Sequence, residues 1–266
     1  MSVALRMALD RDADVALGAI ATAATALGVA LVAAAAESPT RGLHLSSAWP
    51  FLLAGLLSPG AAQIFVTVAI RESGSSRVSM IFGTAPLVSV TIALAFLGEP
   101  ARAPLIAGAV LVVAGGVELA RERERPAHLN RLGLVLAFAG ATLFAIRDNL
   151  VRHLAVGRTA VPPAVAAAAA LLGGTILIAA WARRGIGRRW LGFVPAGVCF
   201  GASYVTLFEA YYRGRVTVVA PLVAVESLVG VALSALLLRE SEGVGKGLLV
   251  GAALIVAGGA LIGAFR

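Results

Sequence analysis

Nine runs of about twenty residues with few or no charges recur along this chain, each long enough as a helix to cross roughly 30 Å of hydrocarbon. Seven of them, at 15–36, 48–70, 78–97, 103–117, 159–182, 190–208 and 247–265, hold no charged residue at all. Two more, Leu132 to Leu154 and Val216 to Leu238, carry charges inside, Arg147 with Asp148 in one and Glu226 in the other. Helix is expected over strand, because the runs are Ala- and Leu-rich and a lipid-exposed backbone must bond to itself. A transmembrane barrel would instead alternate over about ten residues. The first run is too long for the apolar core of a signal peptide and reads as a span. The expected fold is therefore all-α and polytopic, an integral membrane protein with about nine transmembrane helices.

Composition agrees. The chain is 59% hydrophobic and 14% charged, with a mean hydropathy of +0.93, so water is not its solvent. Its formal charge of +8 lies mostly between the runs, which makes lipid headgroups, not nucleic acid, the expected anionic neighbour. The single cysteine, Cys199, sits in an apolar run and reads as a small packing residue.

The junctions are too short for a soluble domain. The charge run Arg121-Glu122-Arg123-Glu124-Arg125-Pro126 is the natural midpoint, dividing the chain into 1–124 and 125–266. Across it the sequence repeats. Ile106 to Leu119 (IAGAVLVVAGGVEL) matches Leu249 to Ile262 (LVGAALIVAGGALI), and Gly83 to Pro100 aligns without gaps on Ala224 to Ser241, placing Glu99 opposite Glu240. Further back, Gly60-Ala61 and Ala69 fall opposite Gly201-Ala202 and Ala210.

A helix ending in Leu97-Gly98-Glu99 and followed by a helix closing on Gly115-Gly116, repeated as Leu238-Arg239-Glu240 and Gly258-Gly259, resembles the EamA-type halves of the drug/metabolite transporter superfamily. The resemblance covers essentially the whole chain. It implies five helices per half, two inverted repeats around a central solute cavity, and a multi-pass location in the cell membrane, a prokaryotic plasma membrane. Here the first half is expected to have four helices, since the counterpart of Leu132 to Leu154 would precede Val15, where nothing apolar enough stands. The early proline of the family is Pro86; its gap-free counterpart is Ser227, with Pro221 six residues earlier. Basic residues divide 14 to 8 between alternating sides, which puts the N-terminus in the cytoplasm and the C-terminus outside, whereas the resemblance implies both inside. Both orientations stay open.

Charges at membrane depth cost about 2.5–3.5 kcal/mol each on insertion scales and so demand a partner, water or a role. Glu226 lies about 15 Å into its run at helical rise. It is suited to carry a coupling proton or meet a cationic substrate, or else to bind two helices together. Arg147, Asp148 and Asn149 stand at the end of their run that would share a side with the start of the Glu226 run; they line a polar vestibule or snorkel to the headgroups. Glu209 closes another run on that side, with Tyr204 deeper and Tyr211 and Tyr212 at an aromatic belt. Gln63 falls opposite Tyr204 and faces the cavity or bonds a neighbouring helix. Pro86, with Thr84 and Ser89 nearby, breaks a helix beside the cavity or simply kinks it. Glu99 and Glu240 read as interfacial caps or gate contacts. Small residues four apart, Gly197 and Gly201 among them, serve close packing within the chain or a homodimer.

The three histidines are scattered, no HExxH or CxxC pattern occurs, and the only Gly-Lys pair, Gly245-Lys246, opens a span without a P-loop. No cofactor, metal or enzymatic activity is expected. The reading is a secondary-active exporter of a small organic metabolite or drug, working by alternating access and either proton-coupled or facilitative. The alternatives are a non-transporting assembly or lipid-carrier-handling subunit, and a membrane-embedded enzyme.

Overall fold

The computed structural model describes residues 15–41, 45–73, 78, 81–122, 131–157, 161–182, 188–223 and 246–265. Among these residues all regular structure is helical. In chain order the helices are α1 (Val15–Arg41), α2 (Trp49–Gly55), α3 (Ala62–Ser73), α4 (Ala85–Phe96), α5 (Ala103–Glu122), α6 (Arg131–Val156), α7 (Pro163–Ala182), α8 (Val194–Arg213), α9 (Val216–Val223) and α10 (Lys246–Phe265). Five segments are long and apolar enough to cross a membrane: Ala16–Pro39, Trp49–Ala69, Arg131–Val156, Pro163–Ala182 and Trp190–Arg213. Ile81–Phe96, Ala103–Glu118 and Val250–Ile262 are shorter apolar helices.

Prolines set several boundaries. Pro50 occupies the first turn of α2, where its missing N–H has no helical partner to lose. Pro59 does the opposite within the second span: between α2 and α3 the chain forms one wide turn, Leu56–Ala61, in which Ser58 leaves helical geometry at φ −150° and ψ 120°. The equivalent stretch of the second repeat has Cys199-Phe200 in place of Ser58-Pro59, and α8 runs through it unbroken. Pro86 likewise marks an interruption. Residues 81–83 are helical, the chain turns at Thr84, and α4 restarts at Ala85 with Pro86 in its first turn.

The chain forms two compact units, one of Met1–Ile64 and Leu150–Arg213, the other of Phe65–Asn149 and Gly214–Arg266. Each unit draws on both halves of the sequence. In the first, α1 packs on α8 and α2 packs on α7. Both contacts rest on glycines: a Cβ at Gly197 would lie 2.4 Å from Thr25 Cβ, and one at Gly173 would lie 2.2 Å from the Leu52 carbonyl oxygen. By the repeat alignment α7 is the counterpart of α1, and α8 of α2–α3. The counterparts α1 and α7 therefore each pack on the helix that follows the other. Gly197 and Gly201, which meets Ala26 and Val29, serve close packing within the chain.

In the second unit α5 and α10 cross as counterparts. Gly258 meets the Gly108 carbonyl oxygen and Val112, while Gly115 meets the Gly251 carbonyl oxygen and Ile255. The alignment equates Gly108 with Gly251, Val112 with Ile255, and Gly115 with Gly258. Each contact is thus the other with the copies exchanged, which is the signature of a local two-fold axis. The early glycine of one helix meets the late glycine of the other, so the two copies run antiparallel there. Arg102, just before α5, donates to the Phe265 carbonyl at the end of α10 at 3.3 Å, in keeping with that direction.

An added methyl at this crossing has nowhere to go, and overpacking of this kind costs about 1–3 kcal/mol. Gly115→Ala is expected to lower the melting temperature of the purified protein. Gly116→Ala, beside which nothing lies within 4 Å, is expected to leave it unchanged. Equal melting of the two variants in detergent would contradict the crossing.

Candidate functional site

The polar groups inside the apolar helices gather at two places, one in each unit. In the second unit Arg147, Asp148 and Asn149 follow one another on α6, so their side chains leave the helix about 100° apart. Arg147 is only 3% exposed, which replaces the snorkelling alternative: the guanidinium does not reach out from the protein but stays among its helices. It pairs with Asp148 Oδ1 at 2.9 Å and lies over the Phe144 ring at 5.4 Å. Phe144 in turn meets Phe82 edge to face, with centroids 5.6 Å apart. Partial neutralisation by a carboxylate and an aromatic face is what lets a permanent cation stay out of water.

Asn149, 5% exposed, reaches across to α4. Its Nδ2 donates to the Ser89 carbonyl at 3.0 Å and to Ser89 Oγ at 3.2 Å, while also bonding the Ala145 carbonyl of its own helix at 2.9 Å. Ser89 is one turn beyond Pro86, so the amide grips α4 just after its restart. Thr84 Oγ1 donates to the Ile81 carbonyl at 2.6 Å and closes the turn on the other side. Pro86, Ser89 and Asn149 are therefore brought together. Ala137 and Leu136, further back on α6, pack with Val66, Ala69, Val78, Ile81 and Phe82.

In the first unit the break at Ser58 is met by Tyr204, whose hydroxyl donates to the Ser58 carbonyl at 2.8 Å. Tyr204 stands in a column on one face of α8, between Phe200 and Phe208 at 5.4 Å and 5.2 Å. Phe51 joins this column, 6.4 Å from both Phe208 and Tyr212. Tyr204 is buried among aromatic rings. Gln63 is half-buried and makes no side-chain hydrogen bond among the described residues. Glu209 pairs with Arg213 one turn on, at the end of α8. Tyr211 is fully buried and not at an aromatic belt, and Cys199 is exposed where a packing residue was expected. Glu226 and Glu240 lie outside the described residues.

Two charged groups not singled out from sequence hold helix ends. Glu37 Oε2 accepts the Ala164 N–H at 3.1 Å and so caps α7. Arg152 donates to the Tyr211 and Tyr212 carbonyls at 3.0 Å and 3.2 Å, closing α8. The break at Ser58 was not singled out either, and Ser-Pro inside an apolar run was the available signal. Glu37 and Arg152 gave none, since a single charge at a span's edge looks like any interfacial residue. Among the described residues no group of His, Cys, Asp or Glu is placed to hold a metal ion.

A family model described as the EamA-like transporter family matches residues 1–118 and again residues 131–264. No curated protein matches at a significant level. Among solved structures, a crystal structure of a protein 21% identical to this one superposes with a TM-score of 0.78, covering 98% of this chain and 94% of that one. At that identity the likeness speaks for the fold.

Replacing Tyr204 by Phe keeps the ring and leaves the Ser58 carbonyl without its donor, and replacing Asn149 by Leu removes the grip on Ser89. Each is expected to cost about 1 kcal/mol of stability. Gln63→Leu is expected to be neutral. Unfolding of the three variants in mixed micelles, titrated with SDS, checks the order.

Proposed function

This chain belongs to the EamA-like transporter family, and from that membership and the placement of its buried charges we propose that it is a secondary carrier exporting a small organic solute by alternating access. The observation that carries the reading is the Arg147–Asp148 pair. It sits about 5 Å past the midpoint of the 26-residue helix α6, where two ionised groups are costly and persist only in a polar setting within the protein. A helix kept solely for anchoring has no use for them. A pair that can exchange its internal partner for a solute group does.

Glu226 enters through the sequence alone, ten residues into the span that α9 begins. In this reading it is the coupling carboxylate, taking up a proton on one side and yielding it on the other, so that the downhill proton drives the solute outward. Arg147, Asp148 and Asn149 supply the fixed polar lining. The two inverted repeats provide equivalent inward-facing and outward-facing states, because exchanging the conformations of two related halves turns one state into the other.

Pyranine-loaded proteoliposomes under an imposed proton gradient, challenged with amino acids, small organic acids and cationic dyes, test the reading. Proton movement that follows one solute class is expected from the wild type. Glu226→Gln is expected to abolish that coupled flux while leaving expression and membrane insertion intact. Unchanged flux would remove Glu226 from the mechanism, and the absence of any solute-dependent flux would overturn the carrier reading.

A further inference from the structure

The junction between α4 and α9 holds a contact that the transport reading does not use. α4 closes on Leu97, and Gly98 follows at φ +63°, a left-handed conformation that glycine adopts without strain. That turn carries Glu99 to the start of α9. Glu99 Oε1 accepts the Val216 N–H at 2.8 Å, and Oε2 accepts the Thr217 N–H at 2.9 Å. The next two donors, of Val218 and Val219, go to the Arg215 carbonyl at 3.1 Å and 2.9 Å. All four N–H groups that open the helix are thereby satisfied, the first two by a carboxylate from the other half of the sequence.

Downstream the same turn is weakly tied. Pro221 lies inside α9 and has no N–H to give, so the bond that would reach back to the Thr217 carbonyl is missing. Thr217 is 2% exposed, and its hydroxyl makes no compensating bond among the described residues. The first turn of α9 is therefore joined to the turn that follows α4 by two charge-assisted bonds and to the rest of its own helix by fewer than an uninterrupted helix would have.

We propose that Glu99 is a positioning residue that fixes the first turn of α9 against the turn that ends α4. The functional meaning of this anchor rests on the carrier reading, whereas the anchoring does not. It also gives the Leu97-Gly98-Glu99 sequence a physical purpose, the glycine making the turn that lets the glutamate reach a helix start more than a hundred residues away.

Hydrogen exchange of the full chain in lipid nanodiscs, read by mass spectrometry, tests the anchor. Glu99→Ala and Glu99→Gln are expected to speed exchange at Val216 and Thr217 by about tenfold or more, with α5 and α10 exchanging as in the wild type. Glu99→Asp keeps the charge one methylene shorter and is expected to recover part of the protection. Wild-type exchange at these two amides in Glu99→Ala would overturn the proposal, as would equal loosening throughout α5 and α10. In the proteoliposome assay Glu99→Gln is expected to lower maximal flux with apparent KM held within about twofold. A raised KM at unchanged maximal flux would instead make Glu99 a solute contact and overturn the positioning role. If no solute moves even in the wild type, the carrier reading falls while the exchange result still decides the anchor.

Discussion

A helix in hydrocarbon has no water to bond, so each backbone group freed by a break or an end must find a partner within the protein. That requirement explains where this chain keeps its polar side chains. Tyr204 bonds the Ser58 carbonyl at the break between α2 and α3, and Asn149 bonds the Ser89 carbonyl just after α4 restarts. Glu37 and Glu99 take up N–H groups at the starts of α7 and α9, and Arg152 takes up carbonyls at the end of α8. In each case a side chain from one helix, or for Glu99 from the turn that follows α4, satisfies the backbone of another helix, so the bond that removes a penalty also fixes packing.

Duplication of one helical unit is the second constraint, and it acts through glycine. The paired contacts Gly108 with Gly258 and Gly115 with Gly251 exchange the two copies of one helix across a local two-fold axis. Antiparallel counterparts can touch in this way only if both present the same small-residue face, which duplication supplies without further design. In the other unit α1 packs on α8 and α2 on α7, so the counterparts α1 and α7 each meet the helix that follows the other. The copies are not identical in detail. Pro59 breaks its span where Phe200 leaves the counterpart continuous, so one repeat has a bend that the other lacks.

Among the described residues, Tyr204, Asn149, Glu37, Glu99 and Arg152 are accounted for by backbone satisfaction. Arg147 with Asp148 is different, being an ion pair between neighbouring residues of one helix, with Arg147 buried. Its Phe144 partner lowers the cost of the cation without fixing a neighbouring backbone.

The sequence by itself determined the helices, their approximate lengths and the duplication, because burial in lipid writes a long uncharged run for every span and shared ancestry writes the same glycines twice. It also offered Pro86 as a break or a kink and Glu99 as an interfacial cap or a gate contact, since both signals are local. It did not determine which polar side chain reaches which helix. Arg147 looked as able to snorkel as to stay buried, Tyr211 looked interfacial, and Cys199 looked packed; the structure has Arg147 and Tyr211 buried and Cys199 exposed. Those outcomes depend on how each helix is rotated about its axis and on what lies across from it. Contacts between residues as far apart in the chain as Tyr204 and Ser58, or Glu99 and Val216, exist only once the helices pack, and no periodicity within a single span encodes them.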